Sequence, residues 1–155
     1  MQAPLADLPL SKLTQLICSN SVTPGAGAAA AAALALAAAC GGKAVSISLK
    51  HSDDAQLHLA LSRFEELCRC ALREADDDAE AFGAWVRNRG AHATDQLIES
   101  EEKMARLINA LLVTIGEVEP FIRPNMVGDL IAAKSLASAA KTIQMANEAE
   151  ANGAA

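Results

Sequence analysis

The chain has 155 residues, enough for one domain with its own apolar core and too few for two comfortable ones. Hydrophobic residues make up 52 % of it, yet it holds three Phe, one Trp and no Tyr, so Ala and Leu must build the core, a composition that favours helix over sheet. A formal charge of −6 with no cluster of Lys and Arg argues against a nucleic-acid partner.

The first predicted helix spans about 11–18, with Ser11 as its N-cap and Leu13, Leu16 and Ile17 on one face. Thr23-Pro24-Gly25-Ala26-Gly27-Ala28 then leads into an alanine block, which predicts a second helix over about 25–48. A glycine-rich turn at a helix start exposes backbone amides and the positive end of the dipole, and so suits an anionic or carbonyl oxygen. Pro24 before the first turn and a small-residue packing face explain the same residues without any ligand. The uncharged run Gly25–Gly42 approaches bilayer-spanning length, but Leu34 and Leu36 are its only large apolar residues. A buried central helix is therefore expected. Gly41-Gly42 predicts a kink or partial break late in it.

Ser52, Asp53 and Asp54 start a long third helix, predicted over about 53–89 and stopped by Gly90. Leu57, Leu61, Phe64, Cys68, Leu72 and Ala75 form its apolar stripe. Asp76-Asp77-Asp78 lies within it, and three consecutive acids sweep about 200° of a helix, so at least one faces inward beside Ala75, Ala79 and Phe82. A carboxyl beside apolar groups has a raised pKa, which suits a general acid or base near neutrality; a solvated acidic patch is the alternative.

Thr94 caps a fourth helix over about 94–115, with Leu97, Met104, Ile108, Leu111 and Ile115 near heptad spacing. Pro120 and Pro124 interrupt the pattern. The last helix is predicted over about 125–150, with Asn125 as N-cap, Asp129 in the first turn, and a face of Ala132, Ala133, Leu136, Ala140 and Ile143.

Long amphipathic helices with short joints predict an all-α, five-helix bundle: one domain over 1–155, ordered over about 10–150, forming a symmetric homodimer that covers the helices apolar on more than one side. Cys18, Cys40, Cys68 and Cys70 form no CxxC, and no basic-then-apolar leader opens the chain, so a cytoplasmic protein with reduced thiols is expected. His51, His58 and His92 are too dispersed for a metal site, and none is expected.

Pro24-Gly25-x-Gly27 opening an alanine-rich helix, Asp76-x-Asp78-Ala79-x-x-Phe82 in a long helix, and Pro124-Asn125-x-x-x-Asp129 before a last Ala-rich helix together resemble the formiminotransferase-cyclodeaminase family, over about residues 10–148. The resemblance implies an all-α bundle that dimerises and acts on a C–N bond of a folate or related pterin. The reaction would be that of a methenyltetrahydrofolate cyclohydrolase or a formiminotetrahydrofolate cyclodeaminase. It implies a tetrahydrofolate derivative as substrate and no tightly bound cofactor. It puts the folate near Pro24, Gly25, Gly27, Asp78, Asn125 and Asp129, with Asp78 and Asp129 as catalytic residues. Lys43, Lys50 and Lys134 are candidate partners for the glutamate tail, with a plain solvated surface role as the alternative. Ala26 and Ala28 stand where the family reads Gly and Ser, and Gly128 where a serine usually precedes the second acid. A non-catalytic folate- or pterin-binding relative, favoured by those departures, and a structural helical dimer remain the alternatives.

Overall fold

The computed structural model describes residues 3–153, so the expected span 1–155 reaches past the described residues at both ends. Five α-helices follow in chain order: α1 Leu10–Ile17, α2 Ala26–Leu49, α3 Ala55–Arg87, α4 Ala91–Val118 and α5 Val127–Gly153. Single 3-10 turns occupy Leu5–Asp7, Glu119–Phe121 and Pro124–Met126, and no strand occurs among the described residues.

Local chemistry sets the helix starts. Asp54 caps α3 as expected, its carboxylate accepting from the backbone N–H of Gln56 at 2.7 Å and of Leu57 at 3.3 Å. The other three expected caps are corrected. Pro9 is the N-cap of α1, its φ of −53° already set for a helix start, so Ser11 sits inside the first turn. Gly90 precedes α4, and Thr94 lies one turn in, its hydroxyl donating back to the Gly90 carbonyl at 3.3 Å. Asn125 lies within the Pro124–Met126 turn instead of capping α5, which begins at Val127.

The four long helices form an antiparallel ring in the order α2, α3, α4, α5. Gly41 meets Phe64 and Gly27 meets Asp78 across the α2–α3 seam. Arg63–Glu117 and Asp77–Lys103 join α3 to α4. A bond from Gln144 Nε2 to the Glu101 carbonyl joins α4 to α5, Lys134–Glu119 ties the turn after α4 to α5, and Lys43–Asp129 joins α2 to α5. The short α1 buries only Leu13.

The core follows spacings that alternate between three and four, the signature of helices packed side by side. In α2 the buried stripe is Gly27, Ala31, Leu34, Ala38, Gly41, Val45 and Ser48. In α4 it is Leu97, Glu101, Met104, Ile108, Leu111, Ile115 and Val118. By length and composition α2 could cross a bilayer, but 56 % of its most apolar stretch is buried between its neighbours, as a central helix requires. No break occurs at Gly41-Gly42, because the pair is a notch for a ring. A Cβ on Gly41 would lie 2.5 Å from Phe64 Cε1, and the helix keeps its course while Phe64, 1 % exposed, fills the space.

Candidate active site

Two of the heptad stripes carry an acid among apolar residues, and both acids lie at the same end of the bundle. On α3, Leu57, Phe64, Ala71, Asp78 and Trp85 recur every seven residues, and all five are buried. On α4, Glu101 fills the heptad position between Leu97 and Met104. At that end the start of α2 comes down beside Asp78 and the last turns of α5 lie opposite.

These elements enclose a cavity of about 110 Å³. The Gly25–Gly27 turn forms one wall, Phe82, Trp85 and Leu97 an apolar one, and Asn147, Glu150 and Ala151 of α5 the far side; Asp78 and Glu101 both line it. Gly25 opens α2 without any side-chain cap, which leaves the first-turn amides of the helix free. Phe82 and Trp85 stack at a tilt, ring centroids 5.7 Å apart, with the Arg89 guanidinium 4.8 Å from the Trp85 ring centre.

The carboxyl groups are strongly perturbed. Asp78 is 9 % exposed, and burial pushes its pKa up to about 6, with the charge of Glu74 adding to the rise. Glu101 is 6 % exposed and is pushed up to about 7, first by burial and then by the charge of Asp78; a hydrogen bond with Asn147 pulls the other way, and Glu148 and Glu74 push up again. The neighbouring acids have polar partners. Asp76 accepts from the Leu5 backbone N–H at 2.8 Å. Lys103 bridges Asp77 and the fully buried Glu74, whose other oxygen accepts from the Ser100 hydroxyl at 3.0 Å. No lysine or arginine serves Asp78 or Glu101 in the same way among the described residues.

The structure brings Gly25, Gly27 and Asp78 into one site, with Pro24 buried immediately behind the turn. It does not bring Asp129 there. Asp129 pairs with Lys43 at 3.3 Å, and Lys43 is sixteen residues beyond Gly27 on α2, roughly 24 Å along the helix at 1.5 Å per residue. The exposed Asn125 and Lys50 lie at that same far end, and Lys134 is engaged by Glu119. Within one chain the expected residues therefore form two separate constellations. Sequence reasoning missed Glu101, although an acid at the heptad position between Leu97 and Met104 was the available sign. Ala28 is fully buried, and its methyl does not line the cavity. Among the described residues, no group of three or more His, Cys, Asp or Glu side chains is placed to hold a metal ion.

Fold and site together define an all-α antiparallel bundle with a pair of buried carboxyls beneath a glycine-opened helix. The family model for formiminotransferase-cyclodeaminase matches residues 9–149, and the chain belongs to that family. A crystal structure of formiminotetrahydrofolate cyclodeaminase from Thermotoga maritima has the same fold, with a TM-score of 0.89 at 18 % identity over 95 % of this chain and 79 % of that one. No curated protein matches the chain in sequence.

Proposed function

We propose that the protein acts on a C–N bond of a folate-type one-carbon carrier, as a methenyltetrahydrofolate cyclohydrolase or a formiminotetrahydrofolate cyclodeaminase. The observation that carries this reading is Asp78: a carboxyl 9 % exposed, raised to about 6, and set in a cavity beneath the free amides of α2 in a member of this family. Such a group exchanges protons near neutrality. In the cyclohydrolase reaction, water adds to the cationic methenyl carbon and loses one proton to the carboxylate; that proton passes to the leaving ring nitrogen as the C–N bond breaks, while the remaining hydroxyl proton leaves to solvent as the formyl C=O forms. In the cyclodeaminase reaction, the carrier nitrogen attacks the formimino carbon and ammonia leaves after taking up the proton. Both need one group that accepts and then donates. The α2 amides suit a carbonyl oxygen of the carrier.

The test is the absorbance decay of methenyltetrahydrofolate with and without the protein, beside ammonia release from formiminotetrahydrofolate. Acceleration of either supports the reading and selects the reaction. Folate binding without turnover of either substrate would instead make the chain a non-catalytic carrier-binding relative.

A further inference from the structure

The walls of the Asp78 cavity carry three carboxyl groups, from Asp78, Glu101 and Glu150, and no Lys, Arg or His side chain. Asp78 is nine-tenths buried, faces the cavity, and has no hydrogen-bond or ion-pair partner among the described residues. Phe82 and Trp85, their rings tilted 36° to one another, supply an aromatic wall beside it. A buried carboxylate without a partner is costly, and a cation or a strong N–H donor entering the cavity would relieve that cost. An anion would meet only repulsion from these side chains.

We propose that this cavity is selective for a flat, cationic amidinium-type group, held by Asp78 and Glu101 together against the Phe82–Trp85 wall, with Glu101 as a second ligand-contacting carboxyl. On the folate reading above, on which this assignment of the natural occupant rests, the group is the cationic methenyl bridge. The anionic glutamate tail then stays outside, which agrees with Lys43, Lys50 and Lys134 lying far from the cavity.

Cation binding drives the pair to its ionised form, so a proton held there at neutral pH is released to solvent. The charged groups acting on the pair are Glu74 of α3 and Glu148 of α5, Glu150 of α5 shares the cavity wall, and the nearby Lys103 of α4 reaches Glu74, while α2 contributes backbone amides alone. Lys103 is already held by Glu74 and Asp77, so it does not neutralise the pair.

Benzamidine, a flat cation, and benzamide, its neutral counterpart, provide the probes; calorimetry measures affinity and proton release, and Trp85, the only tryptophan, reports occupancy by fluorescence. Benzamidine should bind at least about tenfold more tightly than benzamide near pH 8 and lose that advantage near pH 5, where the pair is protonated. Protons should be released near pH 6.5, and Asp78→Asn and Glu101→Gln should each weaken benzamidine while sparing benzamide. Equal affinity for the two probes, or a preference that does not change with pH, would overturn the inference on the wild-type protein alone. Turnover of methenyltetrahydrofolate without benzamidine selectivity would overturn it and leave the enzyme reading standing. Benzamidine selectivity with this pH profile and no turnover would support the cation site and remove the enzyme reading.

Discussion

The carboxylate of Asp78 occupies the space that a β-carbon at residue 27 would need, so the glycine of the α2 turn and the buried acid of α3 fit only as a pair. Gly27→Ala must displace that carboxylate. Alanine is the better helix former by about 1 kcal/mol, so the fold should survive the change. Turnover of methenyltetrahydrofolate should fall about tenfold or more, as expected when a catalytic group is shifted by roughly 1 Å. Steady-state kinetics together with a melting curve check this; unchanged kinetics would mean that the position of Asp78 is unimportant.

Both cavity carboxyls titrate higher in the folded chain, at about 6 for Asp78 and about 7 for Glu101, than in the unfolded one. Folding therefore takes up protons in the window between about pH 4 and pH 7, and stability falls as pH rises through it. Glu101→Gln removes one of the two charges that must be buried above that window. The variant should be more stable than wild type near pH 8, by an amount of order 1–2 kcal/mol, and nearly equal to it near pH 4. Urea titrations at both pH values measure the difference. A variant less stable near pH 8 would show that the Glu101 charge is compensated in the fold.

Much of this architecture is legible in the sequence, because apolar spacing is a periodic signal and three consecutive acids must turn one of them inward, here Asp78, although Leu72 of the expected α3 stripe is exposed. Punctuation by single residues proved less reliable. Ser11 and Thr94 have good capping chemistry, but Pro9 and Gly90 lie upstream and let the helices begin earlier. Gly41-Gly42 reads as weakness when only propensity is considered, and its purpose appears once Phe64 is seen against it. The separation of Asp129 from Asp78 depends on which end of a 24-residue helix each one faces, and no local pattern encodes that.

The notch at Gly41 yields a stability test independent of any ligand. Gly41→Ala gains about 1 kcal/mol of helix propensity but overpacks the ring of Phe64, at a cost of about 1–3 kcal/mol. The net effect should be destabilising in the wild type and reversed in a Phe64→Leu background, a coupling that a double-mutant cycle by chemical denaturation reads directly. Additive effects would contradict the contact.

A symmetric homodimer is proposed to cover the apolar surface that α2 and α5 leave outside the bundle, where Leu36 is 52 % exposed and Ile131 and Met145 are each 58 % exposed. If Asp129 serves the Asp78 cavity, it must come from the second copy, because the two are far apart within one chain. Light scattering should give twice the chain mass at micromolar concentration. Mixing inactive Asp78→Asn and Asp129→Asn proteins should then restore part of the activity through hybrid dimers carrying one intact site. A monomer would refute the assembly, and a dimer without complementation would confine the chemistry to the Asp78 end.

The central claim is that Asp78 moves the proton in a reaction on a folate C–N bond, and the most direct measurement is the rate of methenyltetrahydrofolate absorbance decay catalysed by Asp78→Asn relative to wild type. Asparagine keeps the shape and removes the ionisable group, so the account predicts a folded protein with turnover reduced by at least roughly 10², the usual scale for loss of general acid–base catalysis. A folded Asp78→Asn protein that turns over at the wild-type rate would contradict it.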